Sequence, residues 1–220
     1  MRGLLYKDLI VTWKTCRMVI LAALIFAVVA GMRSESLFFA VYAPIVMTAT
    51  VLTTLAYDER SGWLGYADGL PYGRNTIVKS KYVMAFLCCM AAILVTAIVG
   101  VASVLFYGPV EDAVLNDVIY HRTVTLPAVA FTALEQLLVG TIQTVILLPV
   151  SLRLGVEKGR LVYIICIIVF FGLSMYLPKP GIVWGPGAMV PEYLVVVAAC
   201  ILLWVASYFI GAAVFRKRDL

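Results

Sequence analysis

Apolar residues in this chain come in long blocks, and one polar stretch divides them. The blocks cover 18–32, 37–57, 82–107, 126–152, 161–177 and 193–215. About 18 consecutive apolar residues suffice for a helix across the roughly 30 Å hydrocarbon core of a bilayer. The pattern predicts an all-α membrane protein with six transmembrane helices in a single domain, 1–220. Block 18–32 is short for a span unless residues 11–17 extend it. Its basic front and the small residues at 28–31 also suit a signal peptide, but the basic segment is long and periodic, and five further blocks follow.

The first seventeen residues have a pattern of their own. Leu5, Leu9, Thr12, Trp13 and Cys16 fall on one helical face, with Lys7 and Lys14 opposite. That suits an amphipathic helix lying among headgroups with Trp13 at the interface, or the start of the first spanning helix.

The polar island, 56–83, cannot lie in hydrocarbon. It holds Asp58, Glu59, Arg60, Asp68, Arg74, Lys79 and Lys81 together with glycines and a proline. Trp63, Leu64, Tyr66 and Ala67 form a short amphipathic turn within it, and Leu70-Pro71-Tyr72-Gly73 turns the chain toward Asn75, a residue suited to capping the next helix. Exposed aromatics ringed by basic residues suit a docking surface for another protein; they equally suit a helix resting in headgroups. Residues 177–192 are rich in proline and glycine, with Trp184 and Tyr193 placed for an interface.

Composition agrees with the membrane reading: 64% of residues are hydrophobic, only 13% are charged, and mean hydropathy is +1.04. Charge then sets the orientation. With both termini inside, fourteen of the seventeen Lys and Arg residues fall on the inner side, leaving only Arg33, Arg122 and Lys179 outside. This positive-inside bias predicts cytoplasmic termini and a cytoplasmic island in a cell membrane. The net charge of +5 is ordinary for such a protein and gives no reason to expect nucleic acid.

Candidate chemistry changes little. The string GVEKGR at Gly155 lacks the spacing and the lysine of a phosphate-binding loop, and there is no HExxH or GxSxG motif, so no enzyme site is indicated. His121 reads as a loop histidine. Cys16, Cys88, Cys89, Cys166 and Cys200 are odd in number and lack CxxC spacing, which argues against disulfides and metal. Inside the fourth block, Thr132, Gln136 and Gln143 lie within about 40° of one another around a helix, with Glu135 on their flank. A carboxylate at that depth should face protein or water, so the stripe is a candidate translocation path or dimer seam. Glu135 bonding a neighbouring helix, or reaching the outer surface, is the plainer reading.

The opening MRGLLYKDL, the string LAYDERSGWLGYADGLPYGRNTIVKSKY and the GVEKGR loop resemble the small permease subunits of type-2 ABC exporters. The group most similar is the compact bacterial one that includes permeases for phenol-soluble modulins and related peptides. The shared pattern is carried by Asp58, Glu59, Trp63, Leu70, Pro71, Arg74 and Lys81. The resemblance implies that 1–17 is an elbow helix and that 58–81 is a cytoplasmic coupling segment. It implies docking of a separate cytoplasmic ATPase through Asp58, Glu59, Arg60, Trp63, Tyr66, Leu70, Pro71 and Arg74, in a short coupling helix between helices 2 and 3. ATP and Mg would be bound by that partner, with no cofactor in this chain. A second permease, identical or related, would complete the path, and Pro178, Pro180, Trp184 and Pro186 would belong to an outer gate or re-entrant segment. The implied activity is outward movement of an amphipathic peptide, drug or lipid-like substrate by alternating access. Alternatives are a membrane scaffold or sensor without transport, and a proton-coupled transporter using Glu135.

Overall fold

The computed structural model describes residues 2–32, 37–68, 73–107, 113–115, 118–120, 126–176 and 190–216. Its elements are α1 (Arg2–Met32), α2 (Leu37–Arg60), α3 (Trp63–Asp68), α4 (Arg74–Tyr107), β1 (Ala113–Leu115), β2 (Val118–Tyr120), α5 (Leu126–Leu154), α6 (Val156–Tyr176) and α7 (Val190–Arg216). Helix α1 packs on α2 and α4, and α5 packs on α2, α4, α6 and α7. The start of α1 and of α4, the end of α2 and of α7, and the α5–α6 junction all meet at one end. The strands form an antiparallel pair, Ala113 opposite Tyr120, so the chain is not wholly helical.

Two glycines set the junctions at that end. Gly62 has φ 65° and Gly155 has φ 85°, in the left-handed region where a Cβ is penalised. At the end of α2, the Ser61 and Gly62 amides donate to the Tyr57 and Glu59 carbonyls (3.0 and 3.2 Å), satisfying backbone acceptors that the helix leaves open. Gly155 separates α5 from α6 with a single residue, and the helices close up where Gly159 faces Ser151. The largest apolar core lies just inside this end. It includes Leu55, Ile77, Val78, Leu152 and Phe215, drawn from α2, α4, α5 and α7.

The expectation of six spans is corrected. Among the described residues four helices are long and apolar enough to cross a membrane: Gly3–Val29, Arg74–Phe106, Thr132–Leu154 and Leu194–Arg216. Helix α2 packs among α1, α4, α5 and α6. Its buried Thr48, Thr50 and Thr54 return their hydroxyls to carbonyls of their own helix (2.6–3.1 Å), which lets polar residues occupy a dry interior. Helix α6 opens on Glu157, Lys158 and Arg160. Neither α2 nor α6 is among the four.

The elbow helix is corrected as well. Helix α1 runs without a break through residue 17, and its buried stripe is Leu4, Asp8, Thr12, Cys16, Ala23 and Ala27. Leu9 and Trp13, on the apolar face expected among headgroups, are exposed. The inner stripe contains an aspartate that a hydrophobic pattern places outside. A helix does form in the island, but α3 is only six residues long, and the fold by itself gives it no coupling role. Asn75 does not cap α4. The helix starts one residue earlier, and the Thr76 amide donates to the Gly73 carbonyl (2.7 Å). The gate residues Pro178, Pro180, Trp184 and Pro186 lie outside the described residues.

Small residues at the crossings give the fold a direct test. A Cβ on Gly140 would run into the Cys89 sulfur, whereas one on Gly65 meets open space. Gly140→Ala is expected to cost about 1–3 kcal/mol through overpacking. Gly65→Ala, in the exposed short helix, is expected to be neutral or to stabilise by up to about 1 kcal/mol. Melting temperatures of the purified variants in detergent check both signs.

Candidate functional site

The site grows from one lysine. Lys81 lies two turns into α4, only 1% exposed, on a helix otherwise rich in apolar residues. An ammonium there must find charge and hydrogen-bond partners, because desolvation without them costs several kcal/mol. Two other helices supply them. The Nζ is 2.9 Å from Asp8 Oδ1 on α1, 2.6 Å from Asp58 Oδ2 on α2, and donates to Thr54 Oγ1 on α2 at 3.4 Å. All three N–H bonds are thus directed at partners.

Two carboxylates against one ammonium would leave excess negative charge. Lys7, half-buried, corrects this: its Nζ is 2.6 Å from Asp58 Oδ1 and 3.3 Å from Asp8 Oδ1. The four groups are neutral as a set, with Asp58 holding a different lysine on each oxygen. The Ser80 hydroxyl, 3.5 Å from Asp8 Oδ2, closes the far side.

Lys7 also connects the cluster to the island. Its Nζ sits 4.6 Å from the centre of the Trp63 ring at the start of α3, a cation–π contact, and Trp63 tilts against Tyr66 with ring centres 5.5 Å apart. The indole Nε1 is buried without a hydrogen-bond partner among the described residues. Trp63 therefore stands between the charged interior and Tyr66, which is 65% exposed.

Neighbouring contacts fasten the other helices to the same end. The Val156 amide at the start of α6 donates to Glu59 Oε2 (3.0 Å), placing a carboxylate where an open helix terminus favours negative charge. On α4, Arg74 donates to the Arg216 carbonyl (3.3 Å), and Arg216 Nε donates to Asn75 Oδ1 (3.0 Å). Deeper, the Tyr82 hydroxyl donates to the Ser207 carbonyl at 2.8 Å, and the Ser207 hydroxyl lies 3.1 Å from the Val145 carbonyl that it can donate to. Those contacts link α4, α7 and α5.

The predicted docking residues divide. Asp58 is buried in the charge cluster, and Glu59 is engaged with α6; neither is free surface. Arg60 and Tyr66 are exposed, Trp63 is partly covered, and Arg74 is half-buried against the C-terminal helix. Leu70 and Pro71 lie outside the described residues. Lys81, expected in a basic ring around the aromatic turn, is instead the centre of the cluster. Beside Arg60 a cleft of about 340 Å³ is lined by Glu157, Lys158 and Arg160 from the start of α6.

The fourth-block stripe lies within the bundle. Gln136 is fully buried and its Nε2 donates to Thr96 Oγ1 on α4 (2.9 Å). Gln143 Nε2 donates to the Ile45 carbonyl on α2 (3.2 Å). Thr132 is buried, and Glu135 is half-buried. These amides join helices of one chain. Sequence reasoning missed Asp8 and Lys7 as site residues, although a lone acid and a lone base set into apolar helices are the signal for such a pair.

Among the described residues no group of three or more His, Cys, Asp or Glu side chains could hold a metal. A family model described as ABC-2 family transporter protein matches residues 3–216, nearly the whole chain. No curated protein and no solved structure matches.

The cluster predicts an asymmetric response to mutation. Lys81→Met leaves Asp8 and Asp58 buried with only Lys7 between them, and is expected to destabilise by about 3–5 kcal/mol, as for other broken buried pairs. Adding Asp8→Asn restores neutrality and is expected to recover part of that loss. Thermal unfolding of the single and double variants in detergent measures both.

Proposed function

The chain belongs to the ABC-2 family of transporter proteins, and from that premise we propose that it is the membrane permease of an ATP-driven exporter. Membership makes it a multi-pass, non-catalytic permease and implies a partner ABC ATPase and a lipid surround. In this reading the ATPase docks on Arg60, Trp63, Tyr66 and Arg74, with the cleft beside Arg60 extending the surface toward Lys158 and Arg160. Leu70 and Pro71 belong to the same stretch. Asp58 and Glu59 act from behind the surface, by fixing where α3 sits. The island and both termini lie in the cytoplasm, in keeping with the distribution of Lys and Arg.

One observation carries the reading: the aromatic face of α3 rests, through Trp63 and Lys7, on a buried charge cluster that grips α1, α2 and α4. A push on Tyr66 and Trp63 is thereby delivered to three helices at once. Transport follows when those helices tilt and expose the path alternately to the two sides, with two permeases, identical or related, enclosing it. The apolar walls suit an amphipathic peptide, drug or lipid-like substrate.

Docking is tested by capture of the tagged partner ATPase with the full-length permease. Tyr66→Ala, at the exposed centre of the surface, is expected to weaken capture about thirtyfold, a loss of about 2 kcal/mol typical of an aromatic anchor. Arg60→Glu should weaken it further without changing the melting temperature. Undiminished capture by the double variant would remove the island from the interface.

A further inference from the structure

At the end of α2, Arg60 shares its cleft of about 340 Å³ with Lys158 and Arg160 of α6. All three cations are exposed, and among the described residues none of them pairs with a carboxylate. Two acids also line the cleft, Glu59 and Glu157. Glu59 is already engaged, holding the Val156 amide through Oε2 at 3.0 Å. Even with both acids counted, three positive charges face two negative ones. The cleft therefore keeps unneutralised positive charge, at the same end of the molecule as the Lys81 cluster.

Apolar surface leads out of the cleft in one direction. Leu154, half exposed, is part of its wall. Along α6, positions 161, 164 and 168 follow 157 at helical spacing and share its face. They are Leu161, Ile164 and Ile168, each more than half exposed. A stripe about 16 Å long thus runs from the cationic cleft along the helix. Possible occupants fit this pairing unequally. An acidic segment of a soluble partner, or free phosphate, matches the cations but leaves the stripe bare. A zwitterionic lipid covers the stripe but brings its own ammonium to a positive cleft. An anionic phospholipid matches both parts. We infer that the cleft binds the headgroup of an anionic phospholipid, with Arg60, Lys158 and Arg160 on its phosphate and an acyl chain against Leu161, Ile164 and Ile168. Family membership alone supplies the bilayer for this site. In the exporter reading the headgroup becomes part of the surface that the ATPase meets.

The test is native mass spectrometry of the full-length permease in mild detergent, without ATPase, given equimolar dioleoyl phosphatidylglycerol and dioleoyl phosphatidylcholine. Phosphatidylglycerol should be retained with about twentyfold preference, Lys158 and Arg160 each contributing about fivefold. Lys158→Gln/Arg160→Gln should therefore bring the two lipids close to equality. Lys14→Gln/Arg17→Gln removes the same charge from the exposed face of α1, outside the cleft, and should leave the preference intact. Inorganic phosphate in about tenfold excess should not displace the lipid. Should the α6 double variant fail to fold, the wild-type comparison, the phosphate arm and Arg60→Gln, expected to lose about fivefold, still decide. Equal retention of the two lipids, a preference that survives the α6 variant or is lost equally in the α1 variant, or displacement by phosphate would overturn the inference. Loss of ATPase capture in the α6 variant, with no lipid preference in wild type, would assign these cations to docking instead and overturn it too. A lipid preference in a chain that captures no ATPase would leave the site standing and count against the exporter reading.

Discussion

Burying Lys81 is the constraint from which the rest of this end of the molecule follows. An ammonium two turns inside an apolar helix is tolerable only with carboxylates held against it. Asp8 and Asp58 come from two other helices, so their approach fixes how α1, α2 and α4 stand to one another. Their double negative charge in turn demands Lys7, and Lys7 brings Trp63. Each link answers an electrostatic need created by the one before it.

Such a cluster is a poor way to gain stability, since an apolar replacement of similar shape often does as well or better. Its use lies in specificity. Apolar helices in a bilayer slide past one another at little cost, because the hydrophobic effect does not choose among apolar neighbours. A neutral set of four charges with directed hydrogen bonds makes one arrangement much better than its neighbours. The glycine turns at Gly62 and Gly155 and the Glu59–Val156 contact keep the same arrangement at the edge of the cluster.

Much of this was legible in the sequence, and the failures have physical causes. The membrane class and the polar island follow from residue pattern alone. The number of spans did not: among the described residues four helices reach the length and hydropathy of a span, and α2, with its buried threonines, is not one of them. The buried stripe of α1 was not legible because it carries Asp8, whose partner Lys81 is more than seventy residues away in the chain. Asp58 and Glu59 were recognised as a pair but placed on the surface, where unpartnered acids belong; their partners, Lys7, Lys81 and the start of α6, are visible only once the helices are packed. Leu70, Pro71 and the proline-rich segment before α7 lie outside the described residues.

In the proposed exporter the Lys81 cluster transmits work rather than merely holding helices together. The direct measurement is substrate exported per ATP hydrolysed by the permease–ATPase complex in proteoliposomes, for wild type and for the neutral double variant Asp58→Asn/Lys81→Met. The double variant is expected to assemble with the ATPase and hydrolyse ATP, while export per ATP falls to background. An assembled double variant that exports with the wild-type ratio would contradict it and reduce the cluster to a structural fastening.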